Sequence, residues 1–212
     1  YISVTGVQTC ALPISYQIIG AFWVGRLGGA AIAAVSVTFP VMFLMMAVGA
    51  GLSIAGSTLT AQLVGARNHE RVGHVAGQTF LMVILSALVL GVAGWFATPA
   101  LLRLLAVAPD VHDGALGFMR VSFVALVFNF SFFVFQSITR SIGRPSLPVY
   151  IVLVSVFLNF ALNPVMIFGW GPIAAHGVVG AALTTLVTQA LASIAGFVLL
   201  WRGLDRKSTR LN

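Results

Sequence analysis

Long runs without Asp, Glu, Lys or Arg dominate the chain: residues 1–25, 27–66, 72–102, 121–139 and 145–201. A bilayer-spanning helix needs about 20 predominantly apolar residues. Each of the first four runs therefore holds one helix, and the last has room for two. The segment from Gly169-Trp170-Gly171-Pro172 to Gly177 carries the turn chemistry that divides it. The pattern predicts six helices, near 8–25 (truncated), 34–63, 75–97, 116–138, 147–168 and 177–201. The expected fold class is all-α, a polytopic membrane bundle.

The second helix, at 1.5 Å per residue, would be about 45 Å long against a hydrocarbon core of about 30 Å. It must tilt, bend or protrude. Pro40 removes a backbone donor and Gly49-Ala50-Gly51 lacks side-chain bulk, so both are expected bend points. Between helices three and four, Pro99 to Leu105 with Arg103 reads as a short interfacial helix, followed by a polar turn at Pro109-Asp110.

Composition agrees with the lipid reading. Of 212 residues, 59% are hydrophobic and 7% charged, far below the roughly 25% charged of soluble domains. That excludes a water-soluble globule. The net charge of +7 is spread thinly between apolar runs, so it reads as a topology signal and not as a nucleic-acid surface. The two ends resemble translated sequencing-adapter remnants, at residues 1–15 and 206–212, leaving a native segment of about 16–205. Cys10, the single cysteine, goes with the front remnant. Six spans place Arg67, Arg71, Arg140, Arg144 and Arg202 on one side, against Arg26, Arg103 and Arg120 on the other. The first side, with the N-terminus, is expected to be cytoplasmic, in a plasma membrane of bacterial inner-membrane type. Trp23, Trp95, Trp170 and Trp201 all fall at expected helix ends, where indoles favour the headgroup region.

No enzyme signature occurs: no GxSxG, HExxH, P-loop or paired carboxylate within a span. His69 and His74 beside Glu70 have no further ligand nearby and read as a solvated loop, so no metal site or resident cofactor is expected. What remains is intramembrane polarity. Gln136 lies on helix four, Asn159 and Asn163 on helix five, and Thr184, Thr185, Thr188 and Gln189 on helix six. Such groups face the bundle interior or a water-filled cavity. Asn159 and Asn163 are four apart, on one helical face, with Pro164 freeing a carbonyl beside them. That clustering fits either an ion or proton site or plain interhelical hydrogen bonding. Phe123, Phe128, Phe130, Phe132, Phe133 and Phe135 go round helix four without forming a stripe, so they are expected to face lipid; a stacking wall for flat cations is the alternative. The Gly177 to Ala182 run reads as a small-residue packing face.

Several segments in order resemble the multidrug and toxic compound extrusion (MATE) transporters. They are Phe22-Trp23-Val24-Gly25-Arg26-Leu27-Gly28 with Ala33-Ala34-Val35, Gln62 to Asn68, Arg140-Ser141-Ile142-Gly143-Arg144-Pro145, Asn159 to Gly169, and Gly180 to Thr185. The resemblance implies two six-helix lobes, substrate passing between them by alternating access, and export driven by inward proton or sodium flow. This chain would be the N-terminal lobe, lacking its C-terminal partner lobe. In the family, two aspartates on helices one and five, an Asn one turn before the second and a Thr on helix six serve coupling. Asn159 and Thr185 match the Asn and the Thr, and Gln136 lies where an amide often occurs. Gly20 and Asn163 stand where the aspartates belong, and neither can exchange a proton near neutral pH.

The resemblance therefore implies cation-coupled efflux of cationic or amphipathic drugs, with the chain inactive by itself. Its partners would be membrane lipid, a small-molecule drug, transported Na+ or H+, and the missing lobe. A lipid-linked oligosaccharide flippase would share the helix pattern but should line its cavity with basic residues; with Arg120 counted at the outer end of helix four, no span carries an interior Lys or Arg. A non-transporting scaffold, its amides serving packing alone, is the further alternative.

Overall fold

The computed structural model describes residues 19–66, 68–141, 146–170 and 174–208, with the side chains of 69, 70 and 200–208 left aside. Residues 1–15 and 209–212, most of the two expected remnants, lie outside this set. So do Arg67, Arg144 and the side chains of Trp201 and Arg202.

Six helical segments follow in order: α1 (residues 19–25), α2 (Gly29–Gly65), α3 (His69–Leu104), α4 (Pro109–Ser141), α5 (Ser146–Phe168) and α6 (Gly177–Ser208). Five of them, α2 to α6, are long and apolar enough to cross a membrane. Four of them, α2, α3, α4 and α6, are longer than the apolar pattern suggested. α2 runs through Pro40 and Gly49-Ala50-Gly51 without interruption. α3 runs through Pro99 to Leu104, so the expected interfacial helix is the last turn of α3 and not a separate element.

The expected turn at Pro109-Asp110 is instead the start of α4. Pro109 occupies the first helical turn, where a missing N–H costs nothing, and Asp110 complements the positive helix end. This earlier start places Arg120 eleven residues into α4. The expectation that no span holds an interior base is thereby corrected.

The remaining turns are short and locally specified. Gly28 takes φ 108° between α1 and α2, a conformation that disfavours any side chain. Asn68 caps α3, its Oδ1 accepting from the Arg71 N–H at 3.3 Å. After α3, the N–H groups of Leu105 and Ala106 donate to Leu101 and Arg103 carbonyls.

α4 is the central helix and packs along α2, α3 and α6, while α5 packs chiefly on α6. Its buried stripe is Val111, Ala115, Met119, Phe123, Leu126, Phe130, Val134 and Ile138, recurring every three or four residues. Phe132 and Phe135 are buried on another side, against Ala192 of α6. Phe123, Phe130, Phe132 and Phe135 of α4 thus fill the core and do not face lipid, while Phe128 and Phe133 are half-buried. They go round the helix because the helix is surrounded.

Glycines on the neighbours make room for these rings. Gly94 of α3 lies against Phe123, Gly49 of α2 against Phe130 and Gly196 of α6 against Phe135. Gly180 of α6 meets the Met166 backbone of α5, as expected of the small-residue face. The outer faces carry exposed apolar side chains such as Leu81, Val89 and Phe96 on α3 and Val154 and Phe157 on α5. In water these would be a liability; against lipid tails they are satisfied.

Candidate functional site

Two polar features lie on either side of one turn of α6. The first is a cleft of about 190 Å³ between α2, α4 and α6. α2 contributes Val35, Thr38, Phe39, Met42, Phe43 and Met46; α4 contributes Phe118, Ser122, Ala125, Leu126 and Asn129; α6 contributes Ala182 and Thr185. The spacing explains the lining: 35, 38, 39, 42, 43 and 46 follow one helical face of α2, as 118, 122, 125, 126 and 129 do on α4.

No charged side chain lines the cleft. Its hydroxyls are tied to their own helices: Thr38 Oγ1 donates to the Val35 carbonyl at 2.8 Å, Ser122 Oγ to Phe118 at 2.8 Å, and Thr185 Oγ1 to Ala181 at 3.0 Å. Each hydroxyl oxygen keeps acceptor capacity. The walls are aromatic and thioether surface, polarizable and adaptable.

The second feature is a buried amide chain on α5 and α6. Asn163 Nδ2 donates to both the carbonyl oxygen and Oδ1 of Asn159, at 3.0 and 2.7 Å. Asn159 Nδ2 donates to Thr188 Oγ1 at 3.4 Å, and that hydroxyl donates to the Thr184 and Thr185 carbonyls at 2.9 and 3.1 Å. Asn159, Asn163, Thr184 and Thr188 are all buried. Asn163 Oδ1 is buried with no hydrogen-bond partner, a costly vacancy in an apolar medium. Thr185 belongs to both features, with its side chain on the cleft and its carbonyl in the amide chain.

α1 closes over this end of α5. Val24 and Ala31 share a buried cluster with Ile167 and Ala181. Trp23 meets Phe160 at a tilt and Phe168 edge-on, with centroids 5.8 and 6.2 Å away. Gly20 lies one turn before Val24 on α1, and Asn163 one turn before Ile167 on α5. A Cβ added at Gly20 would meet nothing within 4 Å.

Of the residues singled out from sequence, the structure joins Asn159 and Asn163 directly and links them to Thr185 through Thr188. Gln136 is placed elsewhere: its Oε1 accepts from Arg140 Nη2 at 3.1 Å, two turns along α4 from Asn129. Sequence reasoning passed over Asn129, although the rule that picked Gln136, an amide inside a span, applies equally to it. Thr38, Ser122, Met42 and Met46 carried no signal of their own. Only the packing of α2 against α4 and α6 identifies them.

The MatE family model matches residues 7–165. The probable multidrug resistance protein YoeA of Bacillus subtilis is 35% identical over 185 residues, covering 87% of this chain and 39% of that protein. The multidrug export protein MepA of Staphylococcus saprophyticus is 28% identical over 195 residues, covering 92% of this chain and 42% of that protein. A multidrug resistance MATE family transporter of the MOP superfamily, solved in an outward-facing conformation, superposes with a TM-score of 0.86 at 25% identity. That match covers 96% of this chain and 44% of that structure. The chain thus spans about two fifths of the length of the curated relatives it matches.

Proposed function

This chain belongs to the MATE family, and on that premise we propose that it is the N-terminal lobe of a secondary multidrug exporter. The observation that carries the reading is the α2–α4–α6 cleft: aromatic and methionine walls with a few uncharged polar groups. Such a lining suits amphipathic drugs, whose cationic charge is met by ring faces and hydroxyl oxygens without a fixed counter-ion. It does not suit a pyrophosphate-linked flippase substrate, which would call for Lys or Arg at the cleft.

Export would be driven by inward proton or sodium flow, and the coupling group would lie outside this lobe. Coupling needs a group whose ion affinity differs between two conformations. Gly20 has no side chain, and Asn163 is permanently neutral and acts as a donor to two oxygens. The lobe would therefore bind drug and rock, while the remainder of the transporter handles the ion. The reading makes the protein a transporter and not an enzyme, in a bacterial inner membrane with its N-terminus in the cytoplasm.

Photolabelling with a hydrophobic aryl-azide cation tests the cleft assignment. Label is expected on α2 and α4 at the cleft, and Asn129→Leu should weaken it several-fold by leaving a polar substituent unpaired. Label confined to the outer faces of α3 and α5, unchanged in Asn129→Leu, would refute the assignment.

A further inference from the structure

Arg120 is a charge within the bundle that the transport reading does not use. It lies eleven residues inside α4, and its Nε is closed off from solvent with no hydrogen-bond partner. Its guanidinium carbon stands 5.2 Å from the centroid of the Trp95 ring on α3. The guanidinium thus lies over the indole, and its N–H groups, which pair with oxyanions, have no acceptor among the described residues. Asp113, two turns nearer the helix start, is fully exposed and instead sits 3.4 Å from His112 Nδ1. Val124, one turn deeper on the same face of α4, is 46% exposed, and Trp95 is 38% exposed.

Depth decides which anion fits. A 33-residue helix is about 50 Å long, so if centred on a core of about 30 Å it protrudes about 10 Å at each end. Arg120, about 16 Å from the α4 start, then lies about 6 Å beneath the hydrocarbon edge. An Arg side chain bridges that depth by extending toward the headgroups, and an indole prefers the same level.

We propose that Arg120 and Trp95 form a binding site for the phosphate of an anionic phospholipid, in the leaflet at the α3–α4 turn. The phosphodiester oxygens take the free guanidinium edge, Trp95 holds the guanidinium plane, and an acyl chain runs down over Val124. The inference is independent of which drug or ion the parent exporter carries.

Native mass spectrometry of the 212-residue chain tests the site. The chain would be released from vesicles of phosphatidylglycerol or of phosphatidylcholine, with inorganic phosphate as a competitor. Phosphatidylglycerol should be retained about fivefold better than phosphatidylcholine, the worth of one well-placed base near an anionic surface. Arg120→Gln should abolish the preference, and Arg103→Gln, at the exposed end of α3, should keep it. Arg120→Lys, which retains the charge without the fork, should fall between; it also serves if Arg120→Gln fails to fold. Equal retention of both lipids, an unchanged preference in Arg120→Gln, or displacement by millimolar inorganic phosphate would overturn the proposal.

Discussion

Replacing Gly180 by Ala should prise α5 from α6. An added Cβ would collide with the Met166 carbonyl oxygen and lie 2.6 Å from its carbon and 3.0 Å from Ile167 N. These are backbone atoms and cannot rotate aside. Ordinary contact is about 3.5 Å, so the helices must part by about 1 Å. Overpacking of that kind costs about 1–3 kcal/mol.

A second loss follows from the position of Met166. It sits in the last turn of α5, where carbonyls lack helical donors. Its oxygen accepts the His176 N–H at 3.2 Å, which pins the α5–α6 turn. Weakening that bond adds about 0.5–1.5 kcal/mol. The total, about 1.5–4.5 kcal/mol, corresponds to a fall of roughly 3–18 °C in the unfolding midpoint for a chain of this size.

Gly51→Ala is the matched control, since a Cβ there meets nothing within 4 Å and gains up to about 1 kcal/mol in helix propensity. Thermal unfolding of the detergent-solubilised chain, followed by far-ultraviolet circular dichroism, reads the difference. A Gly180→Ala midpoint equal to or above that of Gly51→Ala would refute the close α5–α6 approach.

Two further outcomes are expected. Phe123→Ala, which empties a fully buried position against Gly91 and Gly94, should cost about 3–5 kcal/mol, whereas Phe157→Ala, on an exposed outer face, should leave the midpoint nearly unchanged; equal effects would contradict the placement of α4 at the centre. Asn163→Leu removes the donor to both Asn159 oxygens and should destabilise by about 1–3 kcal/mol, while Asn163→Asp can keep one of these bonds only as the neutral acid. In a full-length chimera, Asn163→Asp should therefore change the dependence of drug transport on external pH relative to the Asn163 chimera; identical pH profiles would count against this reading of the amide.

How much of this was legible depends on what each residue's signal reports. Hydropathy located the five long helices α2 to α6, because lipid solvation acts on composition and needs no tertiary knowledge. It could not set helix ends. α3 and α4 run past the apolar windows, and the start of α4 is encoded by Pro109 and Asp110, which read equally well as a turn. That ambiguity misplaced Arg120 at an end.

Periodicity failed at α4 for a physical reason: a helix packed against α2, α3 and α6 is apolar on most sides, so Phe123, Phe130 and Phe135 present no single stripe. The glycines that receive them, Gly94, Gly49 and Gly196, lie on three other segments, and no local pattern pairs them. Asn159 and Asn163 were legible because a four-residue spacing is itself geometry. Asn129 and Thr185 meet only through the packing of α4 against α6, so neither position alone announced the cleft.

The central claim is that this chain works as one lobe of a two-lobe drug exporter, and cation efflux from cells tests it most directly. The chain would be joined to the complementary half of the Bacillus subtilis relative and expressed in a drug-sensitive host. The account predicts that the chimera extrudes a fluorescent hydrophobic cation, that the chain alone does not, and that Ala182→Trp, which fills the cleft, abolishes extrusion from a chimera still inserted in the membrane. Efflux by the chain alone, or undiminished efflux after Ala182→Trp, would contradict it.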